Sequence, residues 1–251
     1  MQFRKSRGMI ALAFAGAVLF ATASPASAET VEESGFTYYS SNTCESTRSM
    51  LRGDGVERVE AEGESLRNNR VIGTSCLEWY EMPVGYKQVR YDLYKWNGSD
   101  WAKCYGTGWV ENTKKVSNLT VYNTMVAPCG NGYYGSMGLS YHYNNEWYGG
   151  QMWSGYTQLG AGSFSANSAA TESAAPPRPE WVNSDNSVDV GAVPDTVPAV
   201  DSEGSTIGET DVSTAPPKEK PENTVGAGGV SVTDTPTVQQ VEAPMRRPRV
   251  G

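Results

Sequence analysis

The sequence predicts a mainly β protein, a small disulfide-containing antiparallel β-sandwich or barrel followed by a long disordered C-terminal tail. Three observations lead there. Short runs rich in Val, Tyr, Trp and Thr recur between residues 36 and 159, each bounded by Gly, Pro, Asn or Asp turns. Four cysteines, Cys44, Cys76, Cys104 and Cys129, stand behind an export signal. From residue 161 onward eleven prolines face two aromatic residues, Phe164 and Trp181, too little apolar surface to offset the entropy of ordering the chain.

The chain divides into three parts, a signal peptide over residues 1–28, a secreted β domain over 29–160 and an acidic Pro/Thr/Ser/Gly-rich tail over 161–251. Arg4, Lys5 and Arg7 precede an apolar run over residues 9–23, which is short for a bilayer span, and Ala26-Ser27-Ala28 supplies the small residues at which a signal peptidase cuts. Cleavage is expected after Ala28. No later segment is apolar enough to cross a membrane as a helix. In an oxidising compartment the four cysteines pair, and of the three pairings available the sequential one, Cys44 with Cys76 and Cys104 with Cys129, needs no crossed chain path. A zinc site is disfavoured by the absence of a Cys-x-x-Cys grip and by a single histidine, His142. The tail carries thirteen acids against six bases, which opposes nucleic-acid binding. Its basic end, Arg246, Arg247 and Arg249, is read as a solvated terminus.

Along the folded region, Phe36-Thr37-Tyr38-Tyr39 reads as a first strand and Cys44 as part of a polar loop. Arg52-Gly53-Asp54 has the form of an integrin ligand at an ordinary turn. Residues 56–67 fit either helical turns or an exposed edge strand. Strands are expected over 70–80, 86–96, 101–109, 116–125, 133–143 and 146–159, with Gly149, Gly150 and Gly155 as bulges or points of close backbone approach. Asn97-Gly98 marks a hairpin, and as the two-residue loop it sets Tyr94 opposite Trp101 and makes two opposite-charge pairs. Tyr91, Leu93, Ala102 and Cys104 then share a core face. Asp92, Tyr94, Trp96, Trp101 and Lys103 share the other, whose charges predict a wet surface with an aromatic strip. The competing expectation is that these rings lie beneath the N-terminal segment or the tail.

The sequence carries no nucleophile elbow, phosphate loop, dinucleotide fingerprint or calcium loop, so no catalytic residue and no cofactor is assigned. His142, beside Tyr141 and Tyr143, reads as a surface or partly buried histidine. The layout is similar to that of many bacterial surface and secreted proteins. The expected function is a non-catalytic binding module that holds a glycan or cell-envelope polymer on Tyr94, Trp96 and Trp101, since flat rings cover the apolar faces of sugars. Two further functions are compatible with the sequence. One is a module for an extracellular protein, such as a protease inhibitor presenting residues 124–128 beside Cys129. The other is a structural surface protein with a spacer tail.

Overall fold

The computed structural model describes residues 30–40, 43–55, 57–72, 75–79, 81–160, 175–214 and 236–241. Among these residues all regular structure is β, in two sheets. The expected signal peptide, residues 1–28, falls outside the described residues.

The first sheet has six strands: β1 (Thr30–Ser40), β2 (Thr43–Gly53), β3 (Arg58–Ile72), β4 (Ser75–Trp79), β8 (Asn118–Val126) and β13 (Thr237–Val241). Its order is β1-β2-β3-β8-β13, with β4 paired to β3, and every pairing is antiparallel. The second has seven: β5 (Lys87–Trp96), β6 (Trp101–Gly106), β7 (Val110–Glu111), β9 (Gly132–Asn144), β10 (Glu146–Leu159), β11 (Thr196–Val200) and β12 (Thr206–Asp211). Its order is β10-β9-β5-β6-β11-β12, with β7 paired to β5. Neither sheet closes on itself, so the barrel alternative is set aside.

Several early elements differ from expectation. Cys44 lies in strand β2 rather than a loop, paired with Asn68 of β3. Residues 58–72 form a central strand between β2 and β8. Its charge density obscured a period of two: Val59, Ala61 and Gly63 are buried while Glu60 and Glu62 are only partly covered. The expected strand over 70–80 is divided between the end of β3 and β4. At the Arg-Gly-Asp tripeptide Gly53 is buried, and a Cβ there would lie 2.5 Å from Thr157 Oγ1. Arg52 is paired to Glu60 at 3.3 Å, and Asp54 Oδ1 accepts the backbone N–H groups of Glu57 and Arg58 at 2.9 Å. An adhesion tripeptide needs all three side chains free to reach a receptor, and this one is built into a turn.

The sheets face each other across a core of Leu51, Val59, Val89, Tyr91, Leu93, Leu119, Val121 and Tyr134, all essentially inaccessible. Small residues let the backbones approach. A Cβ on Gly63 would stand 2.5 Å from Arg90 O, and one on Gly138 would stand 2.8 Å from Arg48 O. Thr47 and Ser140 share a hydroxyl hydrogen bond of 2.7 Å across the gap, and Ser49 Oγ donates to Ser136 O. In β10, Gly155 falls at the register shift between Trp153 and Tyr156, and a Cβ on Gly149 would stand 2.0 Å from Ser140 O. Both expected glycine roles are present.

Cys104 and Cys129 are joined, with Cα atoms 6.0 Å apart. The expected bond between Cys44 and Cys76 falls on side chains outside the described residues.

The largest departure is after residue 160. Residues 175–214 are folded onto the second sheet, supplying β11 and β12, and residues 236–241 extend the first sheet beside β8. Composition judged this segment as if it were alone. It has few apolar side chains of its own, but Trp181, Val182, Val188, Val197 and Val212 meet an apolar sheet face already in place. Its prolines also reduce the entropy lost on docking. The boundary placed at 160 therefore does not mark the end of the folded chain.

Replacing both Cys104 and Cys129 by alanine frees a loop of sequence separation 25. The expected cost is about 3 kcal/mol from unfolded-state entropy, read as a lower urea midpoint with a steeper slope, because the uncrosslinked unfolded chain exposes more surface.

Candidate functional site

The candidate site is the outer face of the seven-stranded sheet, the side turned away from the first sheet. The β5–β6 hairpin that begins it has a different register from the expected one. Trp96 faces Trp101, Lys95 faces Ala102 and Tyr94 faces Lys103; a bulge follows, and Leu93 faces Tyr105. The loop is thus Gly98-Ser99, closed by Asn97 N–H to Asp100 O at 3.0 Å, with Gly98 at φ 106°. Glycine in the first loop position suits such a turn. The Asn97 side chain adds what pair counting could not include, because its Oδ1 accepts the N–H groups of Ser99 and Asp100 and the Ser99 hydroxyl. Trp96 and Trp101 gain an edge-to-face contact, their centroids 5.7 Å apart.

The slip is two residues, so the division between faces is unchanged. Tyr91, Leu93, Ala102 and Cys104 enter the inter-sheet core as expected. The outer face is not wet where the strip was placed. Tyr94 is fully buried and Trp101 nearly so, while Trp96 is half-buried. They belong to a second core with Met137, Leu139, Trp153 and Trp181, covered by residues 175–214. Of the two expectations for these rings, burial beneath the tail is the one found for Tyr94 and Trp101.

The acid that suggested a wet face is neutralised in place. Asp92, itself inaccessible, lies 2.7 Å from Arg90 Nη2 and 3.1 Å from Lys103 Nζ. The bulge between Leu93 and Tyr94 sets Gly106 opposite Asp92, where any Cβ would stand 2.4 Å from Asp92 Oδ1. The expected attraction between Asp92 and Lys103 therefore survives without their being opposite one another. The Arg90 guanidinium also lies over Trp109, 5.3 Å from the ring centroid, and Trp109 meets Tyr141 edge to face.

Beyond this covered zone the same face ends in a second aromatic row. Tyr86, just before β5, and Tyr143 and Trp147 on β9 and β10 sit side by side, centroids 5.5 and 5.4 Å apart, and all three are half-buried. The turn beside them presents Asn144, Asn145 and Glu146, with Asn145 at φ 67°. Glu111 is partly open on β7, opposite Gln88. The sequence signal was present, since outward positions of paired strands align every second residue. It depends on the register that pairs Tyr143 with Trp147.

His142 is on the inner face, fully buried and stacked on Tyr148 at 5.6 Å, rather than at the surface. Residues 124–126 are strand β8 residues paired to β3, so residues 124–128 do not form a projecting inhibitory loop. Among the described residues no group of three or more His, Cys, Asp or Glu side chains is placed to hold a metal ion.

Burial is the largest cause of the displaced ionisations of Tyr91, Tyr94, Tyr134 and Lys95. Tyr91 and Tyr94 are raised above the usual tyrosine value by loss of solvent and then by neighbouring negative charge. Tyr134 is pushed up to about 12 by burial, partly opposed by the Cys129 N–H that its hydroxyl accepts. Lys95 is lowered by burial, against the attraction of Asp201; its ammonium donates to Cys129 O.

Fold and site together define a disulfide-containing all-β protein with two cores and a sheet face partly covered by its own C-terminal segment. No protein-family model matches this chain, and no curated protein or solved structure does.

Two outcomes follow from the buried charges. Asp92→Ala leaves Arg90 and Lys103 without their counter-ion and is expected to cost about 3 to 5 kcal/mol, measured by urea unfolding. At alkaline pH the three tyrosines favour the neutral form in the fold. Their stabilising contribution is complete below about pH 10, where an unfolded tyrosine begins to ionise, and falls as pH rises towards the folded value of about 12 for Tyr134. Melting temperature should drop across that window while tyrosinate absorbance appears late.

Proposed function

We propose that the protein is an exported, non-catalytic binding module whose ligand is a glycan or cell-envelope polymer, held on Tyr86, Tyr143 and Trp147 rather than on the buried Tyr94 and Trp101. The observation that supports this is the row itself, three partly open aromatic rings in contact at one end of a sheet face. Pyranose rings carry apolar C–H faces that stack on such side chains. Their hydroxyls require polar partners, for which Glu111, paired with Gln88 on the same face, and the exposed Asn145 at the adjoining turn are the candidates; Asn144 and Glu146 alternate to the other face, where Glu146 accepts from the Tyr148 hydroxyl at 2.7 Å. The rigid hairpin lowers the ordering cost of binding.

The test is retention of the protein on a panel of insoluble polysaccharides and isolated cell-envelope material. The wild type is expected to be retained, Trp147→Ala combined with Tyr143→Ala to lose at least tenfold in affinity, and Trp96→Ala to lose little. If the wild type is retained on nothing in the panel, or the double variant binds as well as the wild type, the proposal fails.

A further inference from the structure

The segment that covers the outer face is not a generic apolar strap. Its first residues are Ala175-Pro176-Pro177-Arg178-Pro179-Glu180-Trp181. Pro176 and Pro179 are buried while Pro177, Arg178 and Glu180 are exposed. Burial every third residue is the repeat of a polyproline II helix, which presents one edge per turn and makes no hydrogen bonds of its own. Residues 175–179 belong to no strand. The carbonyl of Pro177 accepts the indole N–H of Trp101 at 2.8 Å. Val182 N–H then bonds Pro179 O at 3.0 Å, and the turn this makes carries Trp181 into contact with Trp153, centroids 5.5 Å apart, and with Tyr94 at 5.9 Å.

This is how a proline-rich ligand is recognised. Aromatic side chains form the floor, an indole N–H reads a backbone carbonyl, and prolines three apart enter between the rings with little entropy left to lose. The resident segment leaves one group unmet: the Tyr94 hydroxyl is buried in the same cluster with no hydrogen-bond partner among the described residues. A buried hydroxyl in that condition is costly, so the fit in cis is incomplete.

We propose that the face built from Tyr94, Trp101 and Trp153 is a proline-rich-peptide site, occupied in cis by residues 176–181. An extended Pro-x-x-Pro segment of a partner protein, followed by an aromatic residue, enters when the resident segment yields. The partner gains when one of its carbonyls reaches Tyr94. The site is separate from the row of Tyr86, Tyr143 and Trp147, so it stands or falls independently of glycan binding.

The experiment uses the full-length chain and a fluorescent synthetic peptide of residues 175–182, followed by anisotropy. Wild type should bind it weakly, because its own segment competes. Pro176→Ala combined with Pro179→Ala in the protein weakens the resident segment and should tighten peptide binding at least tenfold. Trp101→Phe added to that variant keeps a ring but removes the donor, and should reverse most of the gain. A peptide with alanine at both proline positions should not bind. If near-UV circular dichroism shows that the double variant has lost its packing, Pro179→Ala alone is measured with the same expectation. The proposal is overturned if no form binds the peptide, or if the alanine peptide binds equally well. It is also overturned if the wild type is a dimer that the double variant cannot form, since a second copy would then be the occupant.

Discussion

A sheet buried on both faces is the constraint on which the rest of this structure depends. Strand β5 shows it most plainly, being buried from Lys87 to Lys95 without alternation. Antiparallel sheets commonly leave one face in water, and the alternation of apolar and polar residues normally shows which. Here the outer face has a charged middle that is paired internally and, around Tyr94 and Trp101, an aromatic end that is covered. The rings meet at 5.2 to 5.9 Å in tilted and edge-to-face contacts, each worth roughly 0.5 to 1.5 kcal/mol beyond the area it removes from water. Asp92, held between Arg90 and Lys103, is what lets that face be dry.

Burial of both faces requires two coverings, and the chain supplies them differently. The inner covering is the first sheet, which approaches through Gly63, Gly138 and the pairs Thr47–Ser140 and Ser49–Ser136. Larger residues there would hold the backbones apart. The outer covering is residues 175–214, which reach the sheet by a few directed contacts: Trp101 to Pro177, Trp153 N–H to Asn186 O, and Gln151 to Thr214 O. Lys95 joins these layers at one corner. Its ammonium holds the Cys129 carbonyl, and the loop between β11 and β12 packs against it so closely that a Cβ on Gly204 would stand 2.0 Å from Nζ. With the Cys104–Cys129 bond, that corner ties β6, the turn before β9 and the C-terminal segment together.

The outer face carries a second group of rings beside the covered one. Tyr141 and Gln151 meet Thr214, and the half-buried row of Tyr86, Tyr143 and Trp147 lies one outward pair further along the strands. The outer face therefore has a fully covered zone and a half-buried one, and their chemistry differs. Prolines and a tryptophan fill the first; the second has Glu111 on the same face and the exposed Asn145 at the adjoining turn.

Much of this was legible in the sequence, because it rests on local chemistry. Alternation and turn residues set the strands from β5 to β10. A two-residue loop slip does not exchange faces, so the core face of the first hairpin was correctly identified from a register that was itself wrong. The Cys104–Cys129 bond is half of the sequential pairing, expected because it needs no crossed chain path. Strand β3 was harder, since its glutamates masked the alternation of Val59, Ala61 and Gly63. What only the tertiary structure decided was the fate of the second face and of the C-terminal segment, and these were one question. Tyr94 and Trp101 are buried because residues 175–214 lie on them, and those residues are ordered because the rings are there. Neither half has enough apolar surface alone to predict the other, since burial is a property of the contact and composition describes each segment apart.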